Sequence, residues 1–156
     1  MSVSVIDLPE PSEHVAEFRS ALAQGRLTFQ SCTKCANNWL PPRDHCPACL
    51  SAEWEWARAS GRARVISWVV YHRAYHPAFA DRLPYNVVVA ELDEGPRLIT
   101  NVVDIEGGEG LDIDVPLTLA VEAEGDVPVA RFRLAEQTEG SAEDAVRISE
   151  VAGLEP

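Results

Sequence analysis

The chain has 156 residues, of which 46% are hydrophobic, so it can bury one core of moderate size. Its 25 acidic and 13 basic side chains give a net charge of −12, which opposes binding to a phosphate polymer by general electrostatics. No stretch reaches the roughly 18 apolar residues that a membrane-spanning helix needs, so a cytoplasmic protein without membrane contact is predicted.

A short amphipathic helix is predicted over residues 12–24, because apolar residues recur there at three- and four-residue spacing. These residues are Val15, Phe18 and Leu22. Ser12 is the candidate N-cap, and Gly25 follows the expected end of the helix. Residues 1–27 are accordingly assigned to an N-terminal helical segment.

Four cysteines form two Cys-x-x-Cys pairs that lie ten residues apart, Cys32 with Cys35 and Cys46 with Cys49. A two-residue gap lets one tight turn present two thiolates to one ion, and two such turns complete a tetrahedral zinc site. Four thiolates leave no position for water, so the predicted zinc is structural and not catalytic. The zinc ribbon is assigned to residues 28–60, with the nearby tryptophans covering it or attaching it to a neighbouring element.

Other interpretations of the cysteines remain open at this point. Two disulfides are disfavoured, because residues 1–30 show no basic region followed by an apolar run and thus no secretory signal. Iron would use the same four ligands, and His45 could replace one thiolate. Ala36 and Leu50 stand where such turns usually carry glycine, which reaches positive φ without strain.

From Gly61 onward the pattern predicts β-structure, with turn residues separating five segments rich in branched and aromatic side chains. These segments are 63–72, 85–92, 97–103, 115–121 and 128–134. Tight hairpins are expected at residues 93–95 and 124–126. Five antiparallel strands, of which the first is long, predict an oligonucleotide/oligosaccharide-binding (OB) barrel over residues 61–135. Residues 136–156 form an acidic tail, expected to be mobile or weakly helical.

The stretch from 61 to 82 is locally basic, since four arginines face only Asp81. They are Arg62, Arg64, Arg73 and Arg82. The arginines could meet a small anionic ligand, or they could pair with carboxylates of neighbouring strands.

Several short motifs, taken in their order, resemble the zinc-ribbon/OB-fold proteins of the DUF35 family over about residues 12–135. The motifs are Trp-Leu-Pro-Pro-Arg at 39–43, Cys-Pro-Ala-Cys at 46–49, Gly-Arg-Ala-Arg-Val at 61–65, His-Arg at 72–73, Pro-Ala-Phe at 77–79, Pro-Tyr at 84–85 and Glu-Leu-Asp-Glu-Gly-Pro-Arg at 91–97. The departures are Ala36 and Leu50 at the usual glycine positions.

The resemblance implies a mainly β fold, with an N-terminal helix, a rubredoxin-like zinc ribbon and a five-stranded OB-fold barrel. It also implies an accessory subunit of a hetero-oligomer, whose partner is a thiolase, a lipid-transfer-protein-like aldolase or an acyltransferase. The shared ligand would be a coenzyme A ester from the degradation of a steroid, aromatic or fatty acyl chain. Residues matching the family pattern for CoA or partner contact are Tyr71, His72, Arg73, Phe79 and Tyr85.

Two alternative functions have different requirements. Catalysis by the chain alone is not expected, because a ribbon commits all four thiols and leaves none as a nucleophile. Single-stranded nucleic-acid binding has a suitable fold but lacks the basic groove that it needs. A purely structural bridge that never touches substrate is the third possibility.

Overall fold

A computed structural model of the chain describes residues 9–136, beginning with one helix. Helix α1 spans Glu13–Ala23, and the Ser12 side chain accepts a hydrogen bond from the Val15 N–H at its start. Gly25 has a φ of 72° just past the end of the helix. The predicted helix is thus confirmed. No helix within 9–136 has the length and apolarity to cross a membrane.

The ribbon is a three-stranded antiparallel sheet with the order β2-β1-β3. Its strands are β1 Thr28–Cys32, β2 Asn38–Trp39 and β3 Trp54–Arg58. Gln30, at the centre of β1, is fully buried. Its side-chain amide donates to the Arg43 carbonyl (2.8 Å) and accepts from the Arg43 N–H (2.7 Å). These two hydrogen bonds tie β1 to the loop that precedes the second cysteine pair.

A second sheet of five antiparallel strands follows, with the order β6-β5-β4-β7-β8. Its strands are β4 Arg62–Tyr71, β5 Tyr85–Leu92, β6 Arg97–Thr100, β7 Pro116–Glu124 and β8 Val127–Leu134. A parallel bridge between Val102 and Phe132 brings the two ends of the sheet together. The predicted five-stranded OB-fold barrel is confirmed, with a closure limited to this short bridge.

Two strand ends differ from the prediction. The strand predicted over 97–103 stops at Thr100, because the chain then leaves β5 and pairs with β8. There the Phe132 N–H donates to Asn101 O (3.1 Å), and the Val103 N–H donates to Phe132 O (2.8 Å). The strand predicted over 115–121 continues to Glu124 because it pairs with β8 along its whole length.

The barrel core extends into the helix and the base of the ribbon. Phe132, Val65 and Val88 are fully buried inside the barrel, and Leu22 and Leu27 belong to the same cluster. Burying one such apolar side chain contributes about 1.5–3 kcal/mol. Helix, ribbon base and barrel therefore share one hydrophobic core.

One buried polar side chain, Asn86 of β5, holds the segment that closes the barrel. Its amide donates to the carbonyls of Val102 (2.9 Å) and Gly107 (2.8 Å), and it accepts from the Val102 N–H (2.7 Å). Close by, the Thr100 hydroxyl donates to the Ala130 carbonyl (2.8 Å). The predicted acidic tail, apart from Glu136, lies outside the described residues, as do residues 1–8.

Candidate metal centre and binding groove

Two similar turns present the four cysteines to one another. In the first, the Ala36 N–H donates to Cys32 O (3.0 Å), and in the second the Leu50 N–H donates to Cys46 O (2.9 Å). Ala36 has a φ of 59° and Leu50 a φ of 63°. Both residues therefore adopt the left-handed conformation that glycine reaches without strain, although neither is glycine.

The four sulfur atoms form a cluster of the size that a metal ion needs. Sγ of Cys32 lies 3.6 Å from Sγ of Cys49, and Sγ of Cys35 lies 3.7 Å from Sγ of Cys46. All four atoms lie within 4.8 Å of one another. A tetrahedron with Zn–S bonds of about 2.3 Å has edges of about 3.8 Å, whereas a disulfide bond measures about 2.05 Å. The geometry fits one tetrahedral zinc ion, and these four cysteines form no disulfide.

The backbone around the cluster prepares two of the thiols to be thiolates. Burial would raise the pKa of Cys46, but N–H groups of Cys49 and Ala48 lower it to about 6. The pKa of Cys32 is lowered in the same way by the N–H groups of Cys35 and Lys34. At Cys35 the Asn37 N–H lowers the pKa, but the three neighbouring thiols and desolvation raise it to about 12. A bound cation would stabilise all four thiolates and so offset the mutual effect by which the neighbouring thiols raise the pKa of Cys35.

Aromatic side chains cover the ribbon, as predicted. Trp54 packs edge-to-face against Trp39 (6.4 Å between ring centres) and Trp56 (5.4 Å), and its indole N–H donates to Asp44 O (3.0 Å). His45 is exposed and is not a member of the cysteine cluster. The tryptophans therefore pack against one another on the ribbon, beside the cysteine cluster.

A groove of about 1090 Å³ lies on the open side of the barrel. One end is aromatic: Tyr71 and Tyr85 stack with ring centres 5.0 Å apart, and Phe79 lies 5.2 Å from Tyr85. Phe79 belongs to a 3₁₀ helix, Pro77–Arg82, that connects β4 to β5. The other end passes between the edges of β6 and β8.

Three of the five predicted contact residues, Tyr71, Phe79 and Tyr85, line this groove. The other two, His72 and Arg73, are exposed and lie outside the lining. The sequence interpretation assigned no contact role to the other lining residues, among them Tyr75, His76, Val87, Ile99, Val127, Val129 and Arg131. Alternation along β5 could have identified Val87, because it shares the outward face of that strand with Tyr85.

Of the four arginines in the basic stretch, three are neutralised by carboxylates. Arg62 pairs with Asp93 (2.8 Å), Arg64 with Glu91 and Asp114 (2.6 Å each), and Arg82 with Glu124 (2.7 Å). Arg73 forms no ion pair with a carboxylate of residues 9–136, and its guanidinium lies 5.9 Å from the Tyr75 ring centre. Pairing is therefore the correct interpretation for all but Arg73.

Glu124 holds the 3₁₀ helix against the turn between β7 and β8. Hydrogen bonds from Arg82 and then Arg131 keep the pKa of Glu124 below its ordinary value of 4.5, although partial burial opposes them. A carboxyl whose pKa is lower in the folded state stabilises the fold above its unfolded pKa. This stabilisation disappears as the pH falls through the folded value.

Replacing Glu124 with glutamine is therefore expected to lower the free energy of unfolding by about 0.5–1 kcal/mol at neutral pH. The difference from wild type should close as the pH falls below 4.5. Urea unfolding of the wild type and the variant, from neutral pH to below pH 4.5, measures the difference in free energy at each pH. Glu122→Gln removes the same charge from an exposed position of the same strand and should show a smaller effect. Equal effects of the two substitutions at neutral pH would contradict the prediction.

A four-thiolate ribbon joined to a five-stranded antiparallel barrel is the architecture of a zinc-ribbon/OB-fold protein. Two family models match consecutive parts of the chain. They are the rubredoxin-like zinc ribbon domain of ChsH2 at residues 19–55 and the C-terminal OB-fold domain of ChsH2 at residues 56–122. The chain is also 32% identical to a DUF35 domain-containing scaffold protein of Methanothermobacter thermautotrophicus, across 61% of this chain and 71% of that protein. The chain belongs to the DUF35 family.

A second relative is much longer. A probable enoyl-CoA hydratase alpha subunit of Thermomonospora curvata is 38% identical over 122 residues. The match covers 78% of this chain but 37% of the relative, so the chain spans little more than a third of that protein.

Two solved structures share the fold. A chain of the structure named Ltp2-ChsH2(DUF35) aldolase superposes with a TM-score of 0.70 at 36% identity, covering 81% of this chain and 98% of that one. A DUF35-family protein of unknown function from Sulfolobus solfataricus has a TM-score of 0.55 at 14% identity, covering 80% and 87%, and shares the fold alone.

Proposed function

We propose that the chain is a non-catalytic accessory subunit that docks on a thiolase-like enzyme and helps to position its acyl-CoA substrate. The observation that carries the proposal is the 36% identity to a chain of the Ltp2-ChsH2(DUF35) aldolase, 98% of which is covered. That name joins two components, and the relative from T. curvata is named as a subunit of an enoyl-CoA hydratase. An accessory role beside an enzyme agrees with both names, and the hydratase name adds a CoA ester.

The composition of the groove supports a binding role. The four cysteines lie in the ribbon, and the described lining of the groove includes none of them. His76 does line it, but its Nδ1 accepts a hydrogen bond from the Ala78 N–H (3.2 Å). The chemistry is therefore assigned to the partner, including the nucleophile of a thiolase or aldolase reaction.

The aromatic end of the groove has the features that an acyl-CoA requires. Flat rings at Tyr71, Phe79 and Tyr85 offer stacking area for an adenine or an apolar wall for the pantetheine arm. Arg73 lies outside the lining but next to Tyr75, forms no ion pair among the described residues, and has a guanidinium that suits a phosphate. We assign these residues, with His72, to contact with CoA or with the partner. We further propose that the acyl-CoA arises during the degradation of a steroid, an aromatic compound or a fatty acid.

Purification from the native host tests the proposal. The tagged chain is recovered at modest salt, and stoichiometric partners are identified by mass spectrometry. A thiolase-superfamily protein is expected, with turnover of acyl-CoA that is higher in the complex than for the partner alone. Recovery of nucleic acid that persists at moderate salt would instead support a nucleic-acid-binding module. Recovery of no partner would overturn the accessory role.

Replacing Tyr85 with alanine is expected to weaken acyl-CoA binding by the complex about 5- to 10-fold. The substitution removes the ring that packs against Tyr71 and Phe79, and with it the centre of the aromatic surface proposed to contact the ligand. Isothermal titration of the complex with acyl-CoA measures the change. Tyr85→Phe keeps the stacked ring and should bind like wild type. Unchanged affinity in Tyr85→Ala, with the complex intact, would show that Tyr85 does not contact the ligand.

A further inference from the structure

Strand β6, Arg97–Thr100, is an open edge of the barrel. It pairs with β5 on one side, and no strand of residues 9–136 pairs with its other side. At its end Thr100 already donates to the Ala130 carbonyl of β8 (2.8 Å), and the bridge at Val102 lies beyond, so the opening between β6 and β8 lies beside Ile99. Edges of this kind present unpaired N–H and C=O groups that another strand can join.

The hydrogen-bond alternation identifies which backbone groups of β6 are unpaired. The Leu92 N–H donates to Pro96 O (2.8 Å), so Leu92 and Pro96 form a hydrogen-bonded pair at the hairpin end. Because such pairs alternate in an antiparallel ladder, Leu98 and Thr100 direct their backbone groups toward β5. Arg97 and Ile99 direct theirs outward, two residues apart, which is the spacing that an added strand needs.

The side chains along this edge leave it unprotected. Ile99 is 76% exposed at the centre of β6, and across the opening Val127 and Val129 of β8 line the same groove. Arg97 is the one charge on the strand, but Glu91 neutralises it at 2.6 Å. Proteins usually blunt an open edge with a charge or a proline, and an exposed branched side chain invites pairing instead.

The surrounding charge favours one kind of occupant. Glu122, opposite Val129, and Asp126, in the groove lining, are exposed, and neither forms an ion pair within residues 9–136. A second copy of a chain with a net charge of −12 would bring further negative charge to these carboxylates. A strand that carries lysine or arginine between apolar residues would complement them.

We propose that an extended segment of the partner enzyme adds to β6 as a sixth strand. Its backbone bonds to Arg97 and Ile99, an apolar side chain covers Ile99, and basic side chains approach Glu122 and Asp126. The inference rests on the proposed function and specifies how the partner docks. Backbone pairing supplies the affinity, and the alternation of apolar and basic side chains supplies the specificity.

Two substitutions of Ile99 separate backbone pairing from side-chain contact. Ile99→Thr keeps a branched side chain and the outward N–H, whereas Ile99→Pro also removes that N–H without removing a bond to β5. With the full chain and its copurified partner, Ile99→Thr is expected to raise the dissociation constant about 5-fold and Ile99→Pro about 50-fold or more. Metal content and thermal unfolding verify that both variants are folded. Equal effects of the two substitutions would overturn strand addition.

Amide hydrogen exchange of the wild-type chain gives a second measurement, which decides the matter if Ile99→Pro fails to fold. The amides of Arg97 and Ile99 should exchange rapidly in the isolated chain and become protected on binding the partner. Unchanged exchange in a formed complex would overturn the inference while leaving the accessory role intact. Protection of these amides in a dimer of the chain alone would assign the edge to a second copy. Failure to recover any partner would overturn both proposals.

Discussion

Replacing Cys46 with serine is expected to abolish metal binding and to unfold the ribbon. Cys46 is fully buried, its thiol has a pKa lowered to about 6, and its sulfur lies 3.7 Å from that of Cys35. Metal binding by structural zinc sites is worth about 10 kcal/mol or more, and around the cysteines the only other buried apolar side chain of the described cluster is Trp39. We expect about one zinc per chain in wild type and none in the variant, measured by elemental analysis. Fluorescence of the ribbon tryptophans should report the lost structure.

His45→Ala is the matched control, because His45 adjoins Cys46 in sequence but is exposed and lies outside the cysteine cluster. This variant should keep its metal and its thermal unfolding temperature. Stoichiometric zinc in Cys46→Ser would contradict the four-thiolate site, and loss of zinc from His45→Ala would return the histidine to the ligand set. Elemental analysis of the same wild-type sample separates zinc from iron.

The ribbon's ligands could be predicted from the sequence because the chemistry is local. Two-residue spacing within each pair defines a turn, and the turn accounts for positive φ at Ala36 and Leu50. Gln30 could not be predicted in the same way. A glutamine in a short strand is usually exposed. This one is buried, and its amide is satisfied by hydrogen bonds to the backbone of Arg43, thirteen residues away.

The sequence singled out only some of the residues that line the groove, for reasons that follow from strand geometry. Tyr71 and Tyr85 meet because they are cross-strand partners of β4 and β5, and adjacent hydrophobic strands predict such pairing. Arg73 would share the face of Tyr71 if β4 continued, but the strand ends at Tyr71. Ile99 and Val129 line one groove although β6 and β8 stand at opposite ends of the sheet order, which no local pattern encodes.

The exposed face of β4, β5 and β6 divides into two halves that suggest separate roles. Near the ribbon, arginines and carboxylates pair in a network around Glu91, whose pKa is lowered by hydrogen bonds from Arg64 and Arg97. Toward the groove, the same face carries Val69, 52% exposed, and Ile99. The network is internally neutralised and solvated, so it suits a stable surface. The apolar half suits contact with another molecule.

Replacing Asn86 with leucine is expected to lower the free energy of unfolding by about 3–5 kcal/mol, because three hydrogen bonds are lost inside the barrel. The substitution leaves the N–H and carbonyl of Val102 and the carbonyl of Gly107 without these partners in buried surroundings. Such a loss corresponds to a fall of about 10 °C in the unfolding temperature of a domain of this size. Denaturant unfolding measures the free energy, and calorimetry measures the temperature.

Thr100→Val is the graded comparison, since it removes one hydrogen bond, to the Ala130 carbonyl, at nearly constant side-chain shape. Its expected cost is about 1 kcal/mol. Asn86 anchors the segment that bridges to β8, so its loss should also accelerate exchange of the Val103 and Phe132 amides, which form that bridge. A cost for Asn86→Leu no larger than that for Thr100→Val would show that the closing segment is held by apolar packing instead, and exchange at these two amides would then stay at the wild-type rate.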